Sequence, residues 1–318
     1  MISRRTIAAL LLVTSPLPSR AAMAQGGSGG AWVTGAVDAG AARVRQGGLL
    51  RGDAVTLGGS AQVATGAFTA TLTTMGSRAQ NALDETRWAG VGALSLSGWL
   101  RPARGMRLEL GAEGQAIAPG GVRATRSALG MVRLYREGSH GRWGWLGAGG
   151  GGADDPESRR HAAIAELGVV QPLGAWRLTA GASLVDTRTG LVEVALPDEW
   201  ITETQPLTYV EPTAGARFAW RGVELGADGG VRLVQRGERP TFPPAAPRRL
   251  PWMVLSGGVQ LLPSVAVIAS GGRALEDAVR GMPATRFASV GLRLSLGHGR
   301  PVAPAPRELP LTAAVVLR

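Results

Sequence analysis

The chain has 318 residues, a formal net charge of +11, 45% hydrophobic and only 18% charged residues, and no Cys. Absence of Cys excludes a disulfide scaffold and any thiolate metal site, and argues against a lipoprotein anchor. All 34 cationic residues are Arg, spread over turns and strands rather than gathered on one helix or in a recognisable module, which argues against nucleic acid as a partner.

Met1-Ile2-Ser3-Arg4-Arg5, an apolar run from Ile7 to Val13, and Ala22-Met23-Ala24 form a positive start, a short apolar core and an Ala-x-Ala end. That order predicts a cleavable export signal over 1–24, cut after Ala24, followed by a flexible stretch over 25–30. The apolar run is too short to cross a bilayer as a helix, which needs about 20 residues. Two arginines near the start echo a twin-arginine signal, but the rest of that pattern is weak.

From Ala31 to Gly297 the sequence reads as about fourteen strand-like segments, with 12–16 compatible. Joints after even-numbered segments are tight: Ala64-Thr65-Gly66, Arg101–Gly105, Gln171–Gly174, Trp220-Arg221-Gly222 and Leu262-Pro263-Ser264. Most joints after odd-numbered segments are long and polar: Val44–Gly52, Ser77–Thr86, Gly152–Arg160, Arg188–Leu207, Gly237–Pro251 and Leu275–Thr285. A soluble sandwich has no reason to sort its connections by side.

Alternation is cleanest in four segments. Met106, Leu108, Leu110 and Ala112 oppose Arg107, Glu109, Glu113 and Gln115; Leu178, Ala180, Ala182 and Leu184 oppose Arg177, Thr179 and Ser183. Val223, Leu225, Val231 and Leu233 oppose Glu224, Asp228, Arg232 and Arg236; Val290, Leu292, Leu294 and Leu296 oppose Ser289, Arg293 and Ser295. Successive strand side chains point to opposite faces, so each segment is apolar on one side and polar on the other. A soluble antiparallel sheet with one buried face has the same pattern.

Tryptophan placement separates the two. With the N-terminus periplasmic, Trp32, Trp99, Trp143, Trp145, Trp176 and Trp220 fall at the rim of the short turns, Trp88 and Trp252 at the opposite rim, and Trp200 in a loop. Aromatic girdles at two membrane interfaces follow that distribution.

Strand rhythm, sorted connections and paired Trp rims together resemble the Gram-negative outer-membrane β-barrel class over 31–297. The resemblance is to an architecture, not to a particular family. It implies an antiparallel transmembrane barrel, short periplasmic turns, long outer loops, a lipid bilayer as partner, and insertion by the outer-membrane assembly machinery. One departure stands out: the last clear segment lacks the terminal aromatic typical of the class, and His298–Arg318 follow it. Pro301, Pro304, Pro306 and Pro310 make that tail an extended periplasmic linker, and Leu311–Leu317 reads as one possible extra strand for a periplasmic partner.

Chemistry-bearing constellations are sparse. Asp154, Asp155 and His161, or Ser158 with His161, are a loose echo of outer-membrane hydrolases, without the spacing that a triad's geometry requires. Gly147, Gly149 and Gly152 match G-x-G-x-x-G, but no helix pattern follows, so they read as a glycine-rich strand end. Asp154, Asp155 and Glu157 read as a hydrated acidic tip rather than a Ca²⁺ site. No metal, no cofactor and no catalytic set are expected. The expected functional surface is the lumen, lined by Arg107, Glu109, Glu113, Gln115, Arg177, Arg217, Glu224, Asp228, Arg232 and Arg293. Such a lumen is either a narrow polar pore for small solutes or ions, or closed by paired charges and by the Arg188–Leu207 and Gly237–Pro251 loops folding inward. A closed barrel would instead present loops or tail to a periplasmic or extracellular, glycan-type partner.

Overall fold

The computed structural model describes residues 32–298 apart from 47–49, 65–67, 81–85, 120–124, 156–157, 196–197, 238–248, 263, 276–278 and 280–283. The expected export signal and the Pro-rich tail lie outside the described residues. Fourteen described strands follow in chain order: β1 (Trp32–Gln46), β2 (Leu50–Ala64), β3 (Phe68–Gln80), β4 (Thr86–Leu100), β5 (Met106–Pro119), β6 (Thr125–Glu137), β7 (Trp143–Asp155), β8 (Ser158–Leu173), β9 (Trp176–Ala195), β10 (Asp198–Trp220), β11 (Val223–Gly237), β12 (Arg249–Leu262), β13 (Val265–Ala274) and β14 (Thr285–His298). Each pairs antiparallel with its sequence neighbours, and β1 pairs with β14, so the sheet is a closed barrel. His298 is the last residue of β14, opposite Val33.

The seam is held continuously from Val33↔His298 to Gln46↔Thr285. In its middle, Asp38 and Arg293 face each other directly, and the guanidinium donates from Nε (2.6 Å) and Nη2 (2.8 Å) to the two carboxylate oxygens. A bidentate pair of this kind fixes register as well as charge.

Side chains are sorted the opposite way from a soluble protein. Leu57, Leu110, Leu146, Leu167, Leu173, Trp220, Leu262 and Val290 are more than half exposed on the outside, while Asp38, Glu109, Glu211, Asp228, Arg232 and Arg293 are buried. Burying a Leu or Val is worth about 1.5–3 kcal/mol, and soluble monomers rarely expose apolar patches beyond a few hundred Å². This surface is stable only in lipid. On β9 and β12 the outward apolar series spans nine residues from the short-turn end, Trp176–Leu184 and Met253–Leu261. At about 3.3 Å per residue and a tilt of about 40°, that is about 23 Å, the height of a barrel's lipid-facing belt.

Pairing runs further than the polar joints predicted. Most of Val44–Gly52 and Gly152–Arg160 and half of Ser77–Thr86 is strand, and the described residues of Arg188–Leu207 form a β9–β10 hairpin. Trp200, expected in a loop, is in β10 opposite Glu193. The backbone ladder does not depend on side-chain polarity, so strands continue past the lipid band where the sequence turns polar. The G-x-G-x-x-G glycines all lie inside β7. At the short-turn end, Arg221 and Gly222 both have positive φ (45° and 84°), the combination of a two-residue type I′ hairpin turn. Arg221 lies over the Trp220 ring at 4.6 Å.

Replacing Arg293 with Leu is expected to lower unfolding stability by about 3 kcal/mol, because Asp38 is then buried without its partner. Urea titration in detergent, followed by tryptophan fluorescence, measures the loss; the D38L/R293L double variant should recover most of it.

Candidate functional site: the barrel interior

Alternation places Arg107, Glu109, Glu113 and Gln115 of β5 on the inner face, with Leu110 and the residues flanking them outward. Arg177, Arg217, Glu224, Asp228, Arg232 and Arg293 also share the inner parity of their strands. These inner charges pair along the wall. Arg217 Nη2 lies 3.3 Å from Asp228 Oδ2, and buried Arg232 donates from Nε to Glu211 Oε2 at 2.7 Å. The Arg232 guanidinium also stacks 4.0 Å above the Tyr209 ring.

A lateral row crosses four strands. Glu109, Arg133, Gly147 and Glu166 are successive register partners on β5, β6, β7 and β8. Arg133 Nη1 lies 3.6 Å from Glu109, and its Nε donates to Glu166 two strands away. That reach depends on Gly147: a Cβ there would meet Arg133 Cγ at 2.9 Å, Val132 O at 3.1 Å and Glu166 Cγ at 3.3 Å. Glu109 is fully buried and accepts from Ser97 Oγ (3.0 Å) and Tyr135 Oη (2.8 Å). The carboxylate thus has the several partners a buried charge needs.

The sequence pattern marks both members of Arg217–Asp228, one member of Asp38–Arg293, Glu109–Arg133 and Glu211–Arg232, and neither of Arg133–Glu166. Asp38, Arg133, Tyr135, Glu166 and Glu211 complete the network and were not anticipated. The available signal was period-two parity carried through β1, β6, β8 and β10, where the alternation is blurred by inward apolar residues such as Leu129 and Ile164.

The expected tryptophan girdle is corrected in part. Trp176 and Trp220 are half-exposed on the outside, with Phe218 5.0 Å from Trp176. Trp145 and Trp252 are buried on the inner face, and Trp99 and Trp143 share it. Trp99, Trp143 and Trp145 pack with Tyr135 and Val170 as an inner aromatic cluster at the short-turn mouth. Trp145 fits because its register partner is Gly168. Arg107 caps Trp143 at 4.9 Å. The strand position was right, but one-residue parity decides inside from outside. The side chains of Trp32 and Trp88 lie outside the described residues.

The interior is also not uniformly polar. Trp252, Val254, Ala274, Leu275, Phe287 and Ala42 form one buried apolar cluster towards the far end. In another, Val279 from the β13–β14 connection packs with Val185 of β9 and Tyr209 of β10, flanked by Leu129, Ile164, Leu207 and Val234. Strands β10, β11 and β12 lie between β9 and β13 around the wall, so this contact reaches inward across the lumen. Arg188–Leu207, expected as a constricting loop, is wall instead, and 238–248 lies outside the described residues.

Ser158 is buried on the inner face, whereas His161, three residues on, is exposed on the outer face. That separation removes the Ser158–His161 pairing. Asp154 shares the outer face and pairs with Arg159 at 3.5 Å.

Gly147→Val is expected to part Arg133 from Glu166 and destabilise the barrel by about 1–3 kcal/mol, as overpacking does. Urea unfolding checks the cost; a Gly147→Ala variant should lose less.

No family model and no curated protein match the chain. Among solved structures it is similar to a porin refined at 1.8 Å resolution (8% identity, 84% of this chain and 100% of that one, TM-score 0.40). It is similar too to an anion-selective porin from Comamonas acidovorans (11% identity, 85% and 100% covered, TM-score 0.45) and to the toluene transporter TodX of Pseudomonas putida (9% identity, 86% and 89% covered, TM-score 0.43). The closed sheet and its inverted faces make this chain an antiparallel β-barrel with a membrane-type apolar outer surface, the fold that these porins and channels share.

Proposed function

We propose that the chain is an outer-membrane channel passing small polar solutes or ions through a narrow lumen with charge-paired walls. The observation that carries this reading is the inner face itself, where Asp38–Arg293, Glu109–Arg133–Glu166, Arg217–Asp228 and Glu211–Arg232 line a closed wall. A barrel of this size exceeds the eight strands whose side chains fill the interior and falls short of the 16–18 of open porins. The export signal, the insertion machinery and the periplasmic tail partner belong to the same reading, as does the absence of enzymatic chemistry.

Selectivity follows from what is left after pairing. The carboxylates of Asp38, Glu109, Glu166, Glu211 and Asp228 each have a guanidinium partner. Arg107 and Arg177 are inner-facing near the short-turn mouth, and among the described residues neither makes an ion pair within 4 Å; Arg107 instead lies over the Trp143 ring. Arg177 directly opposes Arg217 across the β9–β10 ladder. Rings of like charge bias which ion enters, so the channel should weakly prefer anions.

Val279 favours a second reading, a barrel narrowed at rest by the contact of Val279 with Val185 and Tyr209. One experiment separates the two: single-channel conductance of refolded residues 25–318 in planar bilayers, with heat-modifiable gel mobility as folding control. Stable steps with anion preference are expected, and R107Q/R177Q should bring the anion-to-cation permeability ratio to about one. A folded, silent barrel whose V279D variant conducts would favour the narrowed reading. Silence in both would sink the channel.

A further inference from the structure

The short-turn end of the barrel is uneven. The β8–β9 and β10–β11 turns have two residues each, Gly174-Ala175 and Arg221-Gly222, whereas the β4–β5 and β6–β7 turns have five each, over 101–105 and 138–142. These two longer turns are neighbours, because β5 and β6 pair directly from Met106↔Arg136 onward. Glu137 N donates to Gly105 O at 2.7 Å and joins them. Within the turns, Met106 N donates to Ala103 O (3.1 Å), Gly138 N to Arg142 O (2.8 Å) and Arg142 N to Ser139 O (3.1 Å). Arg142 Nε donates to Gln171 Oε1 at 2.8 Å and ties the second turn to β8. Together they make one hydrogen-bonded platform at the mouth.

The platform is cationic. Arg101, Arg104, Arg136 and Arg142 are exposed, with His140 among them, and Glu137 is the one carboxylate over 101–105 and 136–142. Among the described residues none of the four arginines makes an ion pair within 4 Å. The Gly174-Ala175 turn alongside carries no charge at all. Hairpin turns call for Gly, Asn or Asp, not for Arg, so backbone geometry does not require these cations. The two hairpins are two strand spacings apart, about 10 Å. Three residues of an extended chain cover the same distance, about 10 Å. Carboxylates at every third residue of such a chain therefore meet both turns, and guanidinium forks match carboxylates. Because the turn backbone is already ordered, docking costs it little further freedom.

We propose that this platform docks an acidic, extended segment of a periplasmic protein. Short turns mark the periplasmic side of this class. Arg101, Arg104, His140 and Arg142 lie in turns past the strand ends, whereas lipid headgroups flank the sides of the belt. The inner aromatic cluster and Arg107 lie just inside the platform, so a docked partner sits at the lumen mouth. The proposal does not depend on whether the lumen conducts.

The test places the full folded chain in phosphatidylcholine nanodiscs and titrates two fluorescein-labelled peptides, one of Glu-Gly-Ser repeats and one of Gln-Gly-Ser repeats. Fluorescence anisotropy reads binding at low ionic strength. The acidic peptide should bind about tenfold more tightly, R101Q/R104Q should lose most of that preference, and R101K/R104K and R221Q should keep most of it. Equal binding of the two peptides overturns the proposal, as does an undiminished preference in R101Q/R104Q. An equal loss in R221Q would mark general attraction to a basic barrel and overturn it as well. Dihexanoyl phosphatidylglycerol displacing the acidic peptide at equal concentration would mark a headgroup site, with the same consequence. Heat-modifiable mobility confirms that each variant is folded.

Discussion

Inside a bilayer a backbone N–H or C=O without a partner costs several kcal/mol, and no water is at hand to satisfy it. Everything else in this molecule depends on meeting that constraint by joining β1 to β14. The seam is the longest-range pairing among the described strands, and Asp38–Arg293 sits at its middle as a buried bidentate contact. Once the ring is closed, every strand has two neighbours, and period-two alternation divides its side chains between lipid and lumen. A one-residue slip at the seam would send Asp38 towards lipid and Val37 inward. The ion pair therefore specifies register as much as it stabilises.

Charge placement on the inner wall follows a similar economy. Buried ions are tolerated because each finds a partner on an adjacent strand, or on the next but one where a glycine leaves room. Glu109–Arg133–Gly147–Glu166 shows the device: the glycine contributes no contact of its own and yet lets the arginine serve two carboxylates. The aromatic cluster of Trp99, Tyr135, Trp143 and Trp145 performs the corresponding task at the short-turn mouth, filling space that the charged row leaves. Val279 does so nearer the far end. The lumen wall is thus aromatic at the short-turn mouth and charged along its middle, and nearer the far end apolar clusters interleave with charge, since Arg232 stacks on Tyr209.

Much of this was legible beforehand because it is local. Strand alternation at Met106–Ala118 and Ala288–Gly297, the tight Trp220-Arg221-Gly222 turn, and the outward Leu and Val residues are all short-range signals. What was not legible is what depends on pairing across strands. Arg188–Leu207 looks like a loop by composition, yet its polar residues pair as readily as apolar ones once a hairpin has begun. Tryptophan position along a strand predicted the rim but not the face, since the difference between Trp145 and Trp176 is parity. Asp38, Arg133 and Glu166 acquire partners only through register, and the packing of Val279 against Val185 and Tyr209 joins residues far apart in the chain, which no local pattern encodes.

The most direct test of the account is a cysteine scan along β5, which the absence of native Cys makes clean. Single Cys substitutions from Arg107 to Ala116, spin-labelled in the refolded protein in lipid vesicles, would be read for collision with oxygen and with a water-soluble nickel chelate. A period of two is expected, with labels at 108, 110, 112 and 114 exposed to lipid-dissolved oxygen and those at 107, 109, 113 and 115 shielded from it. Uniform access to the aqueous reagent, or a pattern with the opposite phase, would contradict an inverted barrel in a membrane.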